Sequence, residues 1–463
     1  MAQLIHHDSY DVVVIGGGAS GVMAAAAAAK NGAKTLLVDA GPSVGGELLS
    51  GIGVAGCVNS RGEWAVGGLV TELIEECDAM GGYVGNFNEW RLNWLVCLDP
   101  EIVKLALPRL LRRYGVNLLL YTFAEDVVIE NGAIKGIIVL NKNKRTLITA
   151  KQFIDCSGDA DIALLAGAPV VKGEDGGGLQ PVSLVFRMSG LDKDKLFEFV
   201  RQHPENIVIG DNPIYPSKAQ CIENLIKAGY PRVVFDGKGP LLSNAMASGE
   251  VYKTALISIC PVSTQRREVS CNTTRIAHID ATDTRQLSNV LPDLTEQVWT
   301  GVKFLKANVP GFEHANFAGA ASRIGIRETR RIVGEYVLTG DDCQQGRKFS
   351  DGIAKGCHHI DIHGEGTKQI RIPIENGGTY DIPFSCLVPK GVKNLLVSGR
   401  CMSGTREGNG TARVMGTVMA TGQAAGTASA MAAQRSLADI RDLPVLELRE
   451  QLKAHGAVLD GTH

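Results

Sequence analysis

The chain has 463 residues, 44% of them hydrophobic, with 47 Lys plus Arg against 49 Asp plus Glu and a formal charge of -2. That length exceeds one ordinary core and predicts two or three domains. The balanced charge and the 5% aromatic content argue against an electrostatic or base-stacking nucleic-acid binder and favour a small polar ligand.

The 11 cysteines include no C-x-x-C pair and no zinc-like spacing, which reads as reduced thiols in a cytoplasmic protein. The opening MAQLIHHDSYD shows neither an export signal nor a membrane span.

Residues 11–15, DVVVI, are a continuous β-branched run expected as a buried parallel strand. A glycine turn at 16–21 follows, then an alanine-rich helix at 22–30 and a second strand at 33–40, together a βαβ unit. Helical spacing marks 99–114, and strands are expected at 117–121, 127–130 and 134–140, with ENGAI as a hairpin turn. KQFIDCSG is a further strand that ends at Gly158. From about Pro181 the texture changes to alternating strands and longer helices, such as 295–308. Near Pro383 the chain returns through VKNLLVSG to a long helix starting near Ala412, and 434–456 reads as a surface helix pair.

Gly16, Gly18 and Gly21 give G-x-G-x-x-G between strand and helix. The first permits the tight turn, the second lets backbone approach a pyrophosphate, and the third lets the helix pack on the strand. Ala19 and Ser20 lie at the helix N-terminus, whose N–H groups and positive dipole end favour phosphate. Asp39 closes the second strand 18 residues beyond Gly21, where a carboxylate accepts from ribose hydroxyls. The unit predicts a dinucleotide and does not separate NAD from FAD.

After Asp39 and Ala40, the doublet Gly45-Gly46, with Glu47 beside it, would bring backbone against something long and flat. Here the sequence resembles the FAD-dependent oxidoreductases with a glutathione-reductase-like flavin domain, in which such a doublet follows the ribose acid. Residues 153–169, FIDCSGDADIALLAGAP, are similar to that family's second flavin motif, which implies Ser157, Gly158 and Asp159 near the ribityl or pyrophosphate region. The stretch LLVSGRCMSGTREGNGTARVMGT resembles its closing motif, which implies Gly399, Arg400, Ala412, Arg413 and Val414 at the isoalloxazine. Val127 joins this cofactor set. Both glycine turns would then grip one FAD.

A helix N-terminus at the pyrimidine ring favours the negatively charged reduced flavin. Thr411, Ala412 and Arg413 are expected to open that helix, Arg413 either adding positive charge or pairing with Glu407. SRIGIRETRRIVGEYVLTGDD, IDIH and IPFSCLVPKGVKNLLVSGRCMS resemble a broad subgroup of the same flavoproteins over residues 11–432. One departure is Arg406, at a position where that subgroup often has His; it either clamps a carboxylate or faces solvent.

On a helix Arg327 and Arg331 of IRETRR would share one face, as a structural ion-pair network or an anchor for an anionic substrate or flavin. In HHIDIH the alternation puts His359 and His363 on one strand face with Asp361, as a proton acceptor or as satisfied histidines. They lack the companions a metal site needs, so no metal is expected. Cys57, after the doublet, is a candidate for a covalent flavin link or redox thiol.

The expected architecture is α/β: a Rossmann-like FAD-binding domain from 1–180 and 384–440, a mixed α+β substrate or cap domain at 181–383, and a helical tail at 441–463. The expected activity is hydride transfer from a C–H bearing hydroxyl or amine to a noncovalent FAD, with Arg406, His359, His363 and Arg327 as catalytic candidates. A fumarate-reductase-like C=C reductase and a non-catalytic FAD-binding subunit or sensor are the alternatives; no NAD(P)H-handling signature supports a monooxygenase. The expected partner is a small-molecule substrate, with no nucleic acid or membrane and with a homo-oligomer left open.

Overall fold

The structure is a computed structural model that describes residues 5–6, 9–173 and 178–463; most of the N-terminal stretch read for an export signal lies outside them. Strand Tyr10–Ile15 runs parallel between Thr35–Val38 and the second half of the long strand Arg145–Asp155. Asn117–Leu119 adds to one side of this parallel sheet, and Leu395–Val397 pairs with 153–155 on the other. The first half of the long strand instead joins Ala133–Leu140 and Phe123–Glu130 in an antiparallel meander. Its hairpin turns at Asn131 and Gly132, both with positive φ, as a two-residue hairpin of opposite hand to the common turns requires.

The unbroken β-branched run is explained by two covered faces. Val12 and Val14 pack on the helical side with Leu37 and Ile154, whereas Val13 and Ile15 face a separate core with Val38, Phe153 and Leu395. A strand buried on both faces has no polar alternation to show.

Helix Ala19–Lys30 lies against helix Met415–Gln434, and both are made largely of small residues. A Cβ on Gly422 would fall 2.2 Å from the Ser20 carbonyl oxygen, and one on Gly426 would fall 2.0 Å from that of Ala24. The two backbones therefore meet with no side chain between them. Ser20 Oγ donates to Ser398 Oγ at 2.8 Å, which donates to Thr421 Oγ1 at 2.9 Å, so one hydroxyl chain ties the first turn, the last strand and the last long helix.

A second, antiparallel sheet runs in the order Val233–Asp236, Leu256–Ser263, Glu268–Asn272, Phe186–Ser189, Asn316–Ala320. Helices Lys193–Gln202, Lys218–Ala228 and Leu291–Asn308 cover one face. Ile257, Ile259, Val269 and Cys271 point into that core, and the alternate residues Ser258, Cys260, Ser270 and Asn272 face a cleft toward the parallel sheet. The whole is an α/β fold with a Rossmann-like parallel core.

Several elements differ from the sequence reading. The long helix begins at Met415, because Arg413 and Val414 separate it from a short helix at Arg406–Ala412, and Val414 has extended backbone. IRETRR is not helical: Arg330–Ile332 is a strand paired with Val170–Lys172. Leu338, Cys343, Ile353, Tyr380 and Ile382 pack in the first core rather than with the second sheet, so part of the segment assigned to 181–383 belongs with the parallel sheet. The tail has one helix, Val445–Ala454, after a short turn, and Leu448 and Leu452 anchor it to the first core.

Candidate active site

One cleft runs between the two sheets, and the first glycine turn forms one end of it. Gly16 has φ +99°, and a Cβ there would fall 2.3 Å from the Cys156 carbonyl oxygen; a Cβ on Gly21 would fall 1.7 Å from that of Gly16. Gly18 differs, since a Cβ on it would meet nothing within 4 Å. It opens helix Ala19–Lys30 with no side-chain cap, so the first N–H groups of that helix are presented to the cleft that Gly18, Ala19 and Ser20 line. Gly46, from the doublet, approaches from the other side, where a Cβ would lie 3.0 Å from Gly18 Cα. Asp39 accepts from Gly17 N at 2.5 Å and Gly41 N at 2.6 Å, and a carboxylate so held keeps acceptor capacity toward the cleft it lines.

The Ser157-Gly158-Asp159 turn lines the middle. Buried Asp155 holds it by accepting from Ser157 N at 3.0 Å, Ile162 N at 2.9 Å and Ala163 N at 3.0 Å. Asp159 Oδ1 accepts from Thr329 Oγ1 at 2.7 Å and from Arg400 Nη2 at 2.6 Å, so the second flavin motif, IRETRR and the closing motif converge on one carboxylate. Gly399, Arg400, Arg413 and Val414 line the cleft beside it. Glu47 also lines it, its carboxyl raised by burial and opposed by Arg323, Arg327 and Arg400.

IRETRR splits between tether and cleft. Arg331 Nη1 donates to Glu328 Oε1 at 2.6 Å, and its other nitrogens reach the Gly404 and Gly173 carbonyls. Of the charged residues of IRETRR only Arg327 lines the cleft, held by the Pro181 carbonyl and Ser183 Oγ at 2.9 Å, with burial first and then Arg413 pulling its guanidinium down to about 9.

The far end is built by the segment around HHIDIH and by a hairpin, Tyr83–Asn88 with Trp94–Leu98, that the sequence reading passed over. His363 Nδ1 lies 2.6 Å from Arg275 Nη2 and its Nε2 lies 2.7 Å from Asp361 Oδ2. A guanidinium only donates, so Nδ1 accepts and the proton sits on Nε2. His358, which lines the cleft, has the opposite arrangement: Nδ1 donates to the His359 carbonyl at 2.7 Å, which leaves Nε2 unprotonated, and among the described residues no hydrogen bond reaches Nε2. Thr411 Oγ1 donates to the His358 carbonyl and fixes the segment from behind.

Some expected site residues lie elsewhere. Arg406 does not line the cleft; its Nε is 3.3 Å from buried Glu328 Oε2. His359 is turned away from it, with Nδ1 3.0 Å from Asn93 Oδ1 and its ring stacked on His358. Gly21 and Gly45 serve the turns, Ala40 is exposed, Val127 packs on the meander core and Ala412 is buried behind the cleft wall. Arg413 meets Asp361 and Gln180 rather than Glu407. Cys57 is buried outside the cleft lining, its thiol pushed up to about 12 by burial. The structure instead brings Cys97 and Cys260 Sγ to 3.3 Å, a pair 163 residues apart that no local spacing could reveal.

A family profile described as FAD dependent oxidoreductase matches residues 11–452. The chain belongs to that family. It is an enzyme and its cofactor is FAD. No curated protein matches it. Among solved structures it is similar to a geranylgeranyl bacteriochlorophyll reductase-like protein from Thermoplasma acidophilum, at 15% identity over 97% of this chain and 84% of that one, with a TM-score of 0.46. It is also similar to the flavin-dependent brominase Bmp2, at 12% identity over 96% and 83% with a TM-score of 0.48. The p-nitrophenol 4-monooxygenase PnpA from Pseudomonas putida DLL-E4 gives 10% identity over 94% and 82% with a TM-score of 0.44. No described helix of this FAD-dependent oxidoreductase is long and apolar enough to cross a membrane.

The residues present fit FAD. Gly18 offers the uncapped helix N–H groups and open space that a pyrophosphate needs, and Asp39 lines the same end as an acceptor that a ribose could use. Arg323, which the sequence reading did not single out, approaches this end from the second sheet's side. Its Nη1 would lie 3.5 Å from a Cβ on Gly46.

The histidine cluster should make this flavoenzyme acid-labile. Burial holds His358 at about 4 against Asp361 and Glu89, which pull it up, and Arg413, which pulls it down. Burial likewise holds His363 at about 3 between Asp361 and the arginines Arg327 and Arg275. His359, between His358, Asp361, Arg91 and Arg371, lies well below the usual imidazole value. The unfolded chain therefore binds protons below pH ~6.5 that the folded chain refuses, so stability is fully present above that value and falls as pH drops toward 4. Each imidazole contributes about 1.4 kcal/mol per pH unit in that window. Urea midpoints at pH 7, 6 and 5 should fall progressively, and a flat series would contradict the assignment.

Proposed function

We propose that this enzyme oxidises a small polar substrate at a C–H bearing a hydroxyl or amine, with His358 taking the accompanying proton. The observation that carries the reading is the His358 ring, which lines the cleft: Nδ1 is anchored as a donor and Nε2 is left unprotonated. Bound FAD supplies a two-electron acceptor for hydride. The chain contributes the rest. Arg400 and Asp159 fix the cleft wall beside Gly399, and the first turn of helix Met415–Gln434 starts at the same wall with Val414 and Met415. Asp361 and Glu89 face the imidazolium that forms at His358 and stabilise it.

The arginines Arg91 and Arg413 on the same wall favour a second reading, reduction of an activated C=C bond in an enoate. Bleaching of the oxidised protein by alcohols or amines selects the first; rapid re-oxidation of photoreduced protein by an enoate selects the second.

The first experiment is the visible spectrum of purified protein before and after acid precipitation. Flavin released to the supernatant supports a noncovalent site, flavin in the pellet means a covalent link, and colourless protein that takes up no added FAD overturns the cofactor site. Gly18→Val is the matching variant. Its backbone, φ -71° and ψ -169°, suits any residue and its Cβ meets no protein atom, so folding should be intact. The side chain instead fills the phosphate space and costs a charge-assisted hydrogen bond or two, so FAD should bind about 100-fold more weakly. Unchanged affinity would place the pyrophosphate elsewhere.

A further inference from the structure

At the substrate end of the cleft the charges do not balance. Arg91, Arg232, Arg327 and Arg413 line it, with Glu89 and Asp361 as the facing carboxylates and Glu47 opposite Arg327. Asp361 is engaged through both oxygens and Glu89 through one, its Oε1 accepting no hydrogen bond among the described residues. Glu89 Oε2 accepts from Arg232 Nη2 at 2.6 Å and Nε at 3.1 Å, and Asp361 accepts from His363 at 2.7 Å and from Gln369 Nε2 at 2.6 Å. Arg327 is held by neutral oxygens.

Arg91 is left over. It is 7% exposed, its Nε is buried with no hydrogen-bond partner among the described residues, and the nearest carboxylate oxygen, Glu89 Oε1, stands 3.6 Å away. Its side chain lines the cleft, and Arg232 and Arg371 raise the positive potential around it. Arg413 Nε is a second buried donor without a partner on the same wall. A buried guanidinium with a donor left unsatisfied is costly, and a planar carboxylate in the cleft would complete it.

We propose that Arg91 anchors a carboxylate of the substrate, so that the molecule oxidised or reduced here is an organic acid. The assignment rests on the reading above for where the substrate lies. A planar, singly charged carboxylate fits better than a dianionic phosphate, because Glu89 and Asp361 share the wall and would repel a second negative charge. The acid is positioned at the hairpin loop between Asn88 and Trp94, on the same side of the cleft as His358, whose charge couples to Glu89.

Calorimetry on the holoenzyme tests this with acetate, succinate and benzoate against acetamide, succinamide and benzamide, and with inorganic phosphate. The carboxylates should bind and the amides should not. Arg91→Gln should weaken carboxylate binding about 10- to 100-fold, the range for a hydrogen bond to a charged group, while Arg91→Lys recovers part of it. Retained flavin and an unchanged melting temperature in both variants show that the fold is intact. Equal binding of acids and amides, tighter binding of phosphate, no heat with any carboxylate, or an Arg91→Gln variant that binds acids as the parent does would each overturn the proposal. The heat is read independently of the flavin, so protein that binds carboxylates but no FAD would sink the cofactor reading and leave Arg91 standing.

Discussion

His358→Gln is expected to lower the rate of flavin reduction by substrate about 10²- to 10⁴-fold, the usual contribution of a positioned general base, while leaving FAD bound. Glutamine keeps a donor toward the His359 carbonyl and removes the basic lone pair of Nε2. The parent enzyme carries the stronger signature. Because burial holds the imidazole at about 4, the acid limb of kcat/KM should lie near that value, with no inflection near 6.5. The base is unprotonated above the limb, so activity falls only as pH drops through it. A limb near 6.5, or a variant within about threefold of the parent, would assign the proton to another group.

The second large effect belongs to stability. Glu328→Ala is expected to cost about 3–5 kcal/mol, the range for breaking a buried pair by removing one partner. Glu328 is 2% exposed and receives Arg331 at 2.6 Å, Gln180 N at 3.1 Å and Arg406 at 3.3 Å. Removing the carboxylate leaves the Arg331 guanidinium, 3% exposed, with only carbonyl partners. Glu328→Gln keeps an acceptor and should cost less, and pairing Glu328→Ala with Arg331→Met should recover part of the loss, since the stranded charge goes too. Denaturant midpoints read all three, and a Glu328→Ala variant within about 0.5 kcal/mol of the parent would make the pair dispensable.

The cofactor end was legible because backbone geometry forces particular residues there. Gly16 and Gly21 have no room for a Cβ, and the spacing of such positions survives in a single sequence. The substrate end carries no comparable constraint. Arg91 and Asn93 come from a hairpin whose NEWRLN turn has no fixed spacing to anything else in the cleft, and only folding brings it to His359, 266 residues away. The sheet face that roofs the cleft did leave a trace, small polar residues alternating with Ile and Val in LISIC and EVSCN, but alternation alone does not say whether the polar face meets solvent or ligand. His359 does not line the cleft, for a local reason. The pleat that would set 359, 361 and 363 on one face begins only at Ile360, and the two imidazoles before it stack on each other instead. IRETRR invited helical i, i+4 reasoning because nothing in its letters shows that residues 330–332 pair with 170–172.

The bare contact between helices Ala19–Lys30 and Met415–Gln434 sets an order of events during synthesis. Ser20 and Ala24 need Gly422 and Gly426 against them, and at about 5–20 residues per second the ribosome delivers those glycines roughly 20–80 s after the first turn emerges. Through that interval the alanine-rich helix has one uncovered face, and the wall formed by Gly399, Arg400 and Val414 does not yet exist. If that wall holds the flavin, a nascent chain would display the dinucleotide turn before it could retain the cofactor, and cofactor capture would be one of the last steps in making the protein.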